Sequence, residues 1–247
     1  MKNKERIAKK FGSRKAFVVY LVCVNVTVWT AIASAVIFFI ERPYGAERLA
    51  EQIALCVLAL LLFNVPVFMR ERLKFDIPAF LQIVITVFIL AHCVLGEIYR
   101  FYDSVFLFDK ALHLTAGIVI AFLGFSVVYG FGKSETESVK LSPTFVALFS
   151  FCFALALLTL WEIFEYAMDS LFGMNMQRWK DGFAKSGVGD APAVTANSGR
   201  GSGLIDTMTD LIVGVIGAAV ICVIGGIRIK KNPRDRRFFI TKSGADK

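Results

Sequence analysis

The sequence lacks the short motifs that usually reveal a catalytic metal centre or a redox pair. Its two histidines form no HExxH element, and its five cysteines form no CxxC pair. Every cysteine lies inside an apolar run, so we interpret the thiols as small buried side chains. No internal repeat is visible, which argues against a transporter built from two inverted halves.

Charged residues are also scarce: they make up 19% of the 247 residues, against 56% hydrophobic residues. The formal net charge is +8, but the basic residues lie in the two tails and the short loops rather than on one face. This placement excludes a nucleic-acid-binding surface. It is typical of orientation signals that flank membrane helices.

Outside the tails and loops, the sequence consists mainly of long apolar runs. A helix needs about 20 apolar residues to cross a 30 Å hydrocarbon core, and six runs are long enough. The sequence therefore predicts an all-α, polytopic transmembrane bundle over residues 17–227, between a basic N-terminal tail (1–16) and a basic C-terminal tail (228–247). The predicted helices are 17–40, 49–69, 77–99, 112–131, 144–168 and 205–227.

The distribution of Lys and Arg predicts the orientation. If the N-terminus is inside, twenty of these residues lie on the inner side and eight on the outer side. Because Lys and Arg are retained on the cytoplasmic side, we expect the helices to span the cell membrane with both termini in the cytoplasm. The one long connection, residues 170–204, then lies outside. Its Gly- and Ser-rich second half predicts a flexible loop.

Ionisable residues inside membrane helices are costly and need an explanation. Here they cluster near the outer ends of the last three runs, and on each run they share one helical face. The inner halves of these runs (114–131, 144–161 and 211–227) hold no charged residue. The pattern favours a one-sided pocket over a conduit through the membrane. The residues concerned are Asp109, His113, Glu162, Glu165, Asp169, Asp206 and Asp210.

Several ordinary explanations compete for these residues. Asp109 and Asp206 are suitable helix N-caps, and Glu162 could extend its carboxylate to the headgroups. Caps do not explain Glu162, Glu165 and Asp210 together. Carboxylates this close recruit protons or a cation, so we hypothesise a divalent metal ion (Mg²⁺, Mn²⁺, Ca²⁺ or Zn²⁺). The candidate ligands are His113, Glu162, Glu165 and Asp210.

Three short elements carry a resemblance to a known family. They are Asp109-Lys110-x-x-His113, Trp161-Glu162-x-x-Glu165-Tyr166 and Asp206-Thr207-x-x-Asp210. Together, over residues 97–226, they resemble the YjdF family of bacterial inner-membrane proteins. A fainter likeness to VanZ-like membrane proteins rests on the Asp-Lys-x-x-His element. The YjdF resemblance implies a membrane protein of undetermined activity, and the VanZ likeness implies a link to glycopeptide resistance at the cell envelope.

Three functional hypotheses follow. The first is an outward-facing acidic pocket that binds a cation or an envelope or lipid-linked ligand. If it is an enzyme, we expect Glu162 or Glu165 to be the general base and His113 to be the general acid or a metal ligand. The residues expected to bind the cation or the other ligand are Asp109, Asp169, Asp206 and Asp210. The second is a transporter, with Asn25, Asn64, Gln82 and His92 extending a path inward. The third is a structural or resistance-associated protein whose carboxylates organise helix packing.

Overall fold

The computed structural model shows an almost entirely helical chain, as predicted. It describes residues 10–41, 46–105, 107–131, 141–173, 176–177, 197–232 and 241–242. The helices are α1 (Arg14–Glu41), α2 (Ala46–Phe63), α3 (Val65–Glu71), α4 (Ala79–Leu90), a π-helix (Ala91–Ile98), α5 (Phe101–Ser104), α6 (Phe108–Phe131), α7 (Pro143–Phe172) and α8 (Asn197–Lys231).

Within these described ranges, six spans are long and apolar enough to cross a membrane, which confirms the predicted polytopic helical bundle. The first span is α1, the second is α2 with α3, and the third is α4 with the π-helix. The fourth, fifth and sixth spans are α6, α7 and α8. An even number of spans places the two ends on the same side, while the inward orientation of both remains a prediction.

Two spans are less regular than their hydrophobicity predicts. The second is divided at Asn64, because Pro66 in the first turn of α3 has no N–H to continue the helical ladder. The third changes from α-helix to π-helix at Ala91. Widened turns of this kind occur frequently at functional sites.

The sixth helix begins earlier than its apolar run. Residues 197–204, which the Gly- and Ser-rich composition predicts as loop, form the first two turns of α8. That part of the prediction is wrong, because the helix of the apolar run extends back through the glycines. The predicted flexible segment otherwise lies mostly outside the described residues. At the other end, a two-residue strand β2 (Thr241–Lys242) pairs antiparallel with β1 (Phe75–Asp76), the strand that follows the second span.

Buried apolar side chains form separate clusters, one of which connects the two halves of the bundle. It joins Phe125, Ala154 and Ala218 of α6, α7 and α8 with Ile77 and with Leu81 of α4. Another joins the first three spans and includes Phe63 and Val94. Four of the five cysteines are buried as expected, whereas Cys152 is exposed on α7.

Helices α6 and α8 approach each other more closely than any side chain would allow. A Cβ atom added to Gly117 would collide with the carbonyl oxygen of Gly214, and one added to Gly217 would collide with that of Leu114. Small residues at such positions let transmembrane helices pack backbone to backbone. This contact brings the polar N-terminal ends of α6 and α8 together.

Candidate functional site

Lys110 lies at the centre of the acidic residues. Its ammonium nitrogen Nζ donates to Asp206 Oδ1 and to Asp210 Oδ2, both at 2.7 Å. It also donates to Asp109 Oδ2 at 3.2 Å. One lysine of α6 therefore binds two carboxylates of α8 and its own neighbour in the sequence.

His113 lies one turn further into α6, among the remaining carboxylate oxygens. Its Nε2 is 3.6 Å from Asp109 Oδ1 and 3.8 Å from Asp210 Oδ1. On the other edge of the ring, Nδ1 is 3.6 Å from Glu162 Oε1. The imidazole thus connects α6 with both α7 and α8, as the shared faces of these residues predict.

Two of the carboxylates around His113 are buried, which makes their negative charge costly. Asp210 is 1% exposed and Glu162 is 4% exposed. Asp210 Oδ1 has no hydrogen-bond partner among the described residues, and neither oxygen of Glu162 makes a well-formed hydrogen bond, although Thr207 interacts with that carboxylate. Burying a carboxylate without partners costs several kcal/mol, so these oxygens are suited to a ligand that supplies positive charge.

Glu165 belongs to a neighbouring group of aromatic side chains. It accepts a hydrogen bond from Trp161 Nε1 at 2.7 Å. The Trp161 ring meets the His92 ring edge to face, with centroids 6.1 Å apart. His92, in turn, is hydrogen-bonded to the Tyr102 hydroxyl. The π-helix thereby places His92 next to α7, in contact with an aromatic side chain rather than with the carboxylates around Lys110.

Asp169 has a different set of partners. Its carboxylate accepts hydrogen bonds from the backbone N–H groups of Met176 at 2.7 Å and Gln177 at 2.9 Å. The Gln177 side chain then donates to Thr207 on α8 at 2.7 Å. Asp169 thus fixes the start of the connection between α7 and α8.

We expect Asp169→Ala to lower the free energy of unfolding by about 2 kcal/mol, because it removes two hydrogen bonds to a charged, buried acceptor. Chemical denaturation in detergent measures this change. The matched control is Asp103→Ala, which removes an exposed carboxylate paired with Arg100 and should cost under about 1 kcal/mol. Equal losses in the two variants would contradict the role of Asp169.

The helix-cap explanation fails for one of the two aspartates. Asp206 lies more than two turns inside α8, which begins at Asn197, so it cannot cap that helix. Asp109 lies in the first turn of α6, where the helix dipole favours a negative charge. Both residues bind Lys110, and the packing of α6 against α8 explains their position better than capping does.

The residues proposed to extend a path inward make mostly local contacts. Asn25 donates to the carbonyl of Leu21 within α1. Asn64 donates to the carbonyl of Leu60 and accepts from Tyr20. Gln82 is fully buried in α4. Among the described residues, these contacts do not link the four side chains to one another.

The sequence presents Lys110 as a cation near these carboxylates but does not place it at their centre. The apolar pattern assigns it to an outer loop, because the fourth run begins at Leu112, whereas α6 begins at Phe108. The available signal was its position beside Asp109 and three residues before His113, which places it within the first turns of the same helix. Arg178 and Lys180, two basic residues of the following connection that could also balance these carboxylates, lie outside the described residues.

The comparisons agree with the resemblance drawn from these residues. Residues 16–231 match the family described as "Predicted membrane protein (DUF2238)", for which YjdF-like is the usual name. The match includes the first two spans, which the short elements do not cover. No curated protein and no solved structure matches the chain, and nothing found relates it to VanZ-like proteins. The chain therefore belongs to the DUF2238, or YjdF-like, family of membrane proteins.

Proposed function

We propose that the outer ends of α6, α7 and α8 form a binding site for a divalent cation. One observation carries the proposal. Lys110 Nζ donates hydrogen bonds to Oδ2 of Asp109 and of Asp210, whereas Oδ1 of each carboxylate lies beside His113 Nε2. One ligand atom from each of Asp109, His113 and Asp210 fits within a group no wider than 4.8 Å.

The ligand set indicates the kind of metal. Bonds of about 2.0–2.2 Å to nitrogen and oxygen put neighbouring ligand atoms about 3–3.5 Å apart, so the described positions need only small shifts. Two carboxylates and one imidazole suit Zn²⁺ or Mn²⁺ better than Mg²⁺ or Ca²⁺, which prefer oxygen ligands alone. Asp109 thus joins His113 and Asp210 of the sequence-based ligand set.

Charge balance supports a cation. The group contains the buried carboxyl groups of Glu162, Glu165 and Asp210 and the partly buried ones of Asp109 and Asp206, against Lys110 as the fixed cation. A divalent ion between Asp109 and Asp210 would offset much of this excess in a medium where unpaired charge is costly.

Glu162 and Glu165 would act next to the metal rather than on it. Glu162 Oε1 faces Nδ1 of His113, the nitrogen opposite the one proposed to bind the ion. Metal-bound histidines usually pair their second nitrogen with such a carboxylate, which fixes the ring and strengthens it as a ligand. Glu162 has a second oxygen available as a general base. If the site faces the outside, as the distribution of Lys and Arg predicts, then the molecule that binds next to the metal is an envelope or lipid-linked molecule.

Metal analysis of the purified, detergent-solubilised protein tests the proposal. We expect about one Zn²⁺ or Mn²⁺ per wild-type chain and none in Asp210→Asn, because the variant loses a charged ligand oxygen. Glu162→Gln should still bind at saturating metal, with affinity lowered about 10- to 100-fold, as for other partners of metal-bound histidines.

The matched control is Asp103→Asn, which changes an exposed carboxylate outside the group and should bind like wild type. Circular dichroism establishes that each variant is folded. A wild-type protein that neither carries nor gains metal, and whose melting temperature does not respond to added Zn²⁺ or Mn²⁺, would overturn the proposal. The carboxylates would then serve helix packing alone.

A further inference from the structure

A groove with a polar end and a mostly apolar body runs along α1, beside Tyr99. At the polar end, a cavity of about 190 Å³ is lined by Ser34 on α1, by Arg48 and Gln52 on α2, and by Tyr99 at the end of the π-helix. A second cavity of about 800 Å³ continues along α1 and is lined by Val18, Val22 and other apolar side chains. Thr30, Ala33 and Tyr99 line both cavities.

The groove is long enough to hold an acyl chain from one leaflet of a bilayer. From Val18 to Ala33 the helix rises about 22 Å at 1.5 Å per residue. A leaflet supplies about 15 Å of hydrocarbon, half of the 30 Å core, so an acyl chain fits along α1. The polar end lies at the outer ends of the first three spans, where lipid headgroups are found.

The polar end has chemistry suited to a phosphate. Arg48 carries a positive charge, and guanidinium groups bind phosphate oxygens through paired donors. Gln52, Ser34 and Tyr99 add uncharged donors. A hydrogen bond of 3.2 Å between Thr30 Oγ1 and the Tyr99 hydroxyl fixes the two walls where the cavities meet. Asn25 also lines the apolar part, but its amide already donates to the carbonyl of Leu21.

We propose that this groove binds one anionic phospholipid, with its phosphate at Arg48 and Gln52 and an acyl chain along α1. This site is separate from the proposed cation site: none of its lining residues belongs to the acidic group around Lys110. The proposal is independent of the cation-binding function.

The test uses the full chain in a non-ionic detergent, with phosphatidylglycerol, phosphatidylcholine and glycerol 3-phosphate as probes. We expect native mass spectrometry to show one retained phosphatidylglycerol, bound about fivefold more tightly than phosphatidylcholine, as one basic residue near anionic lipid provides. Arg48→Gln should abolish this preference. Ala33→Phe should prevent binding of both lipids, because it fills the junction of the two cavities.

The matched control is Arg72→Gln, which removes an exposed arginine that does not line the groove and should retain the fivefold preference. Equal wild-type affinity for the two lipids, or an unchanged preference in Arg48→Gln, would overturn the proposal. Stabilisation by glycerol 3-phosphate equal to that by the lipid would also overturn it, since the acyl chain would then contribute nothing. If Arg48→Gln does not fold, the wild-type preference and Ala33→Phe decide the outcome.

Discussion

Lys110→Met is expected to lower the free energy of unfolding by about 3 kcal/mol. The change removes the ammonium group that binds Asp109, Asp206 and Asp210, and it leaves three carboxylates close together with little access to water. Breaking a buried ion pair by removing one partner typically costs about 3–5 kcal/mol, and the partial exposure of Lys110 places the expectation at the lower end. Chemical denaturation in detergent measures the loss.

Two controls distinguish this effect from simple loss of a side chain. Adding Asp206→Asn to Lys110→Met removes one of the uncompensated charges and should restore about half of the lost stability. Arg100→Met removes an exposed cation that pairs with Asp103 and should cost under about 1 kcal/mol. If Lys110→Met and Arg100→Met destabilise the protein equally, Lys110 does not hold α6 and α8 together.

Gly117→Ala is the second change with a large expected effect. The new methyl group would collide with the carbonyl oxygen of Gly214, a backbone atom that cannot turn aside, so α6 and α8 must move apart. Overpacking of this kind costs about 1–3 kcal/mol, and we expect the upper end because the contact is with backbone. Thermal unfolding should show a clearly lower midpoint.

The matched control is Gly226→Ala, at a position where α8 packs against α7. There the nearest atom to an added Cβ is the methyl carbon of Ala147 at 3.2 Å, a side-chain contact that a small shift relieves. We expect a loss of under about 1 kcal/mol, offset in part by the higher helix propensity of alanine. If Gly226→Ala is as damaging as Gly117→Ala, the close approach at Gly117 is not special.

Much of the fold could be predicted from the sequence because membrane spans depend on a single strong signal. A run of about 20 apolar residues must be helical in a bilayer, since its backbone groups have no other partners. Local irregularities were harder to foresee. Pro66 offers a reason to divide the second span, but nothing in Ala91–Ile98 distinguishes a π-helix from an α-helix by composition.

The site was predictable in its members but not in its connections. Helical periodicity correctly placed Asp109 with His113, and Asp206 with Asp210, on shared faces. It could not show that Lys110 joins the two pairs, because that contact spans 100 residues of sequence. Nor could it separate Glu165 from Glu162. Their different partners, Trp161 and His113, depend on how α7 is rotated against its neighbours.

The ion pairs of Lys110 and the close glycine contacts between α6 and α8 restrict how these two helices can move. The two helices run in the same direction, and the Lys110 contacts fix their N-terminal ends while Gly117 and Gly217 fix their middles. A slide of one turn would break the ion pairs and place a larger residue against a backbone carbonyl. Any alternating-access cycle must therefore carry α6 and α8 as a single rigid body. The displacement then falls outside this pair, between α6 and α8 together and the helices packed against them.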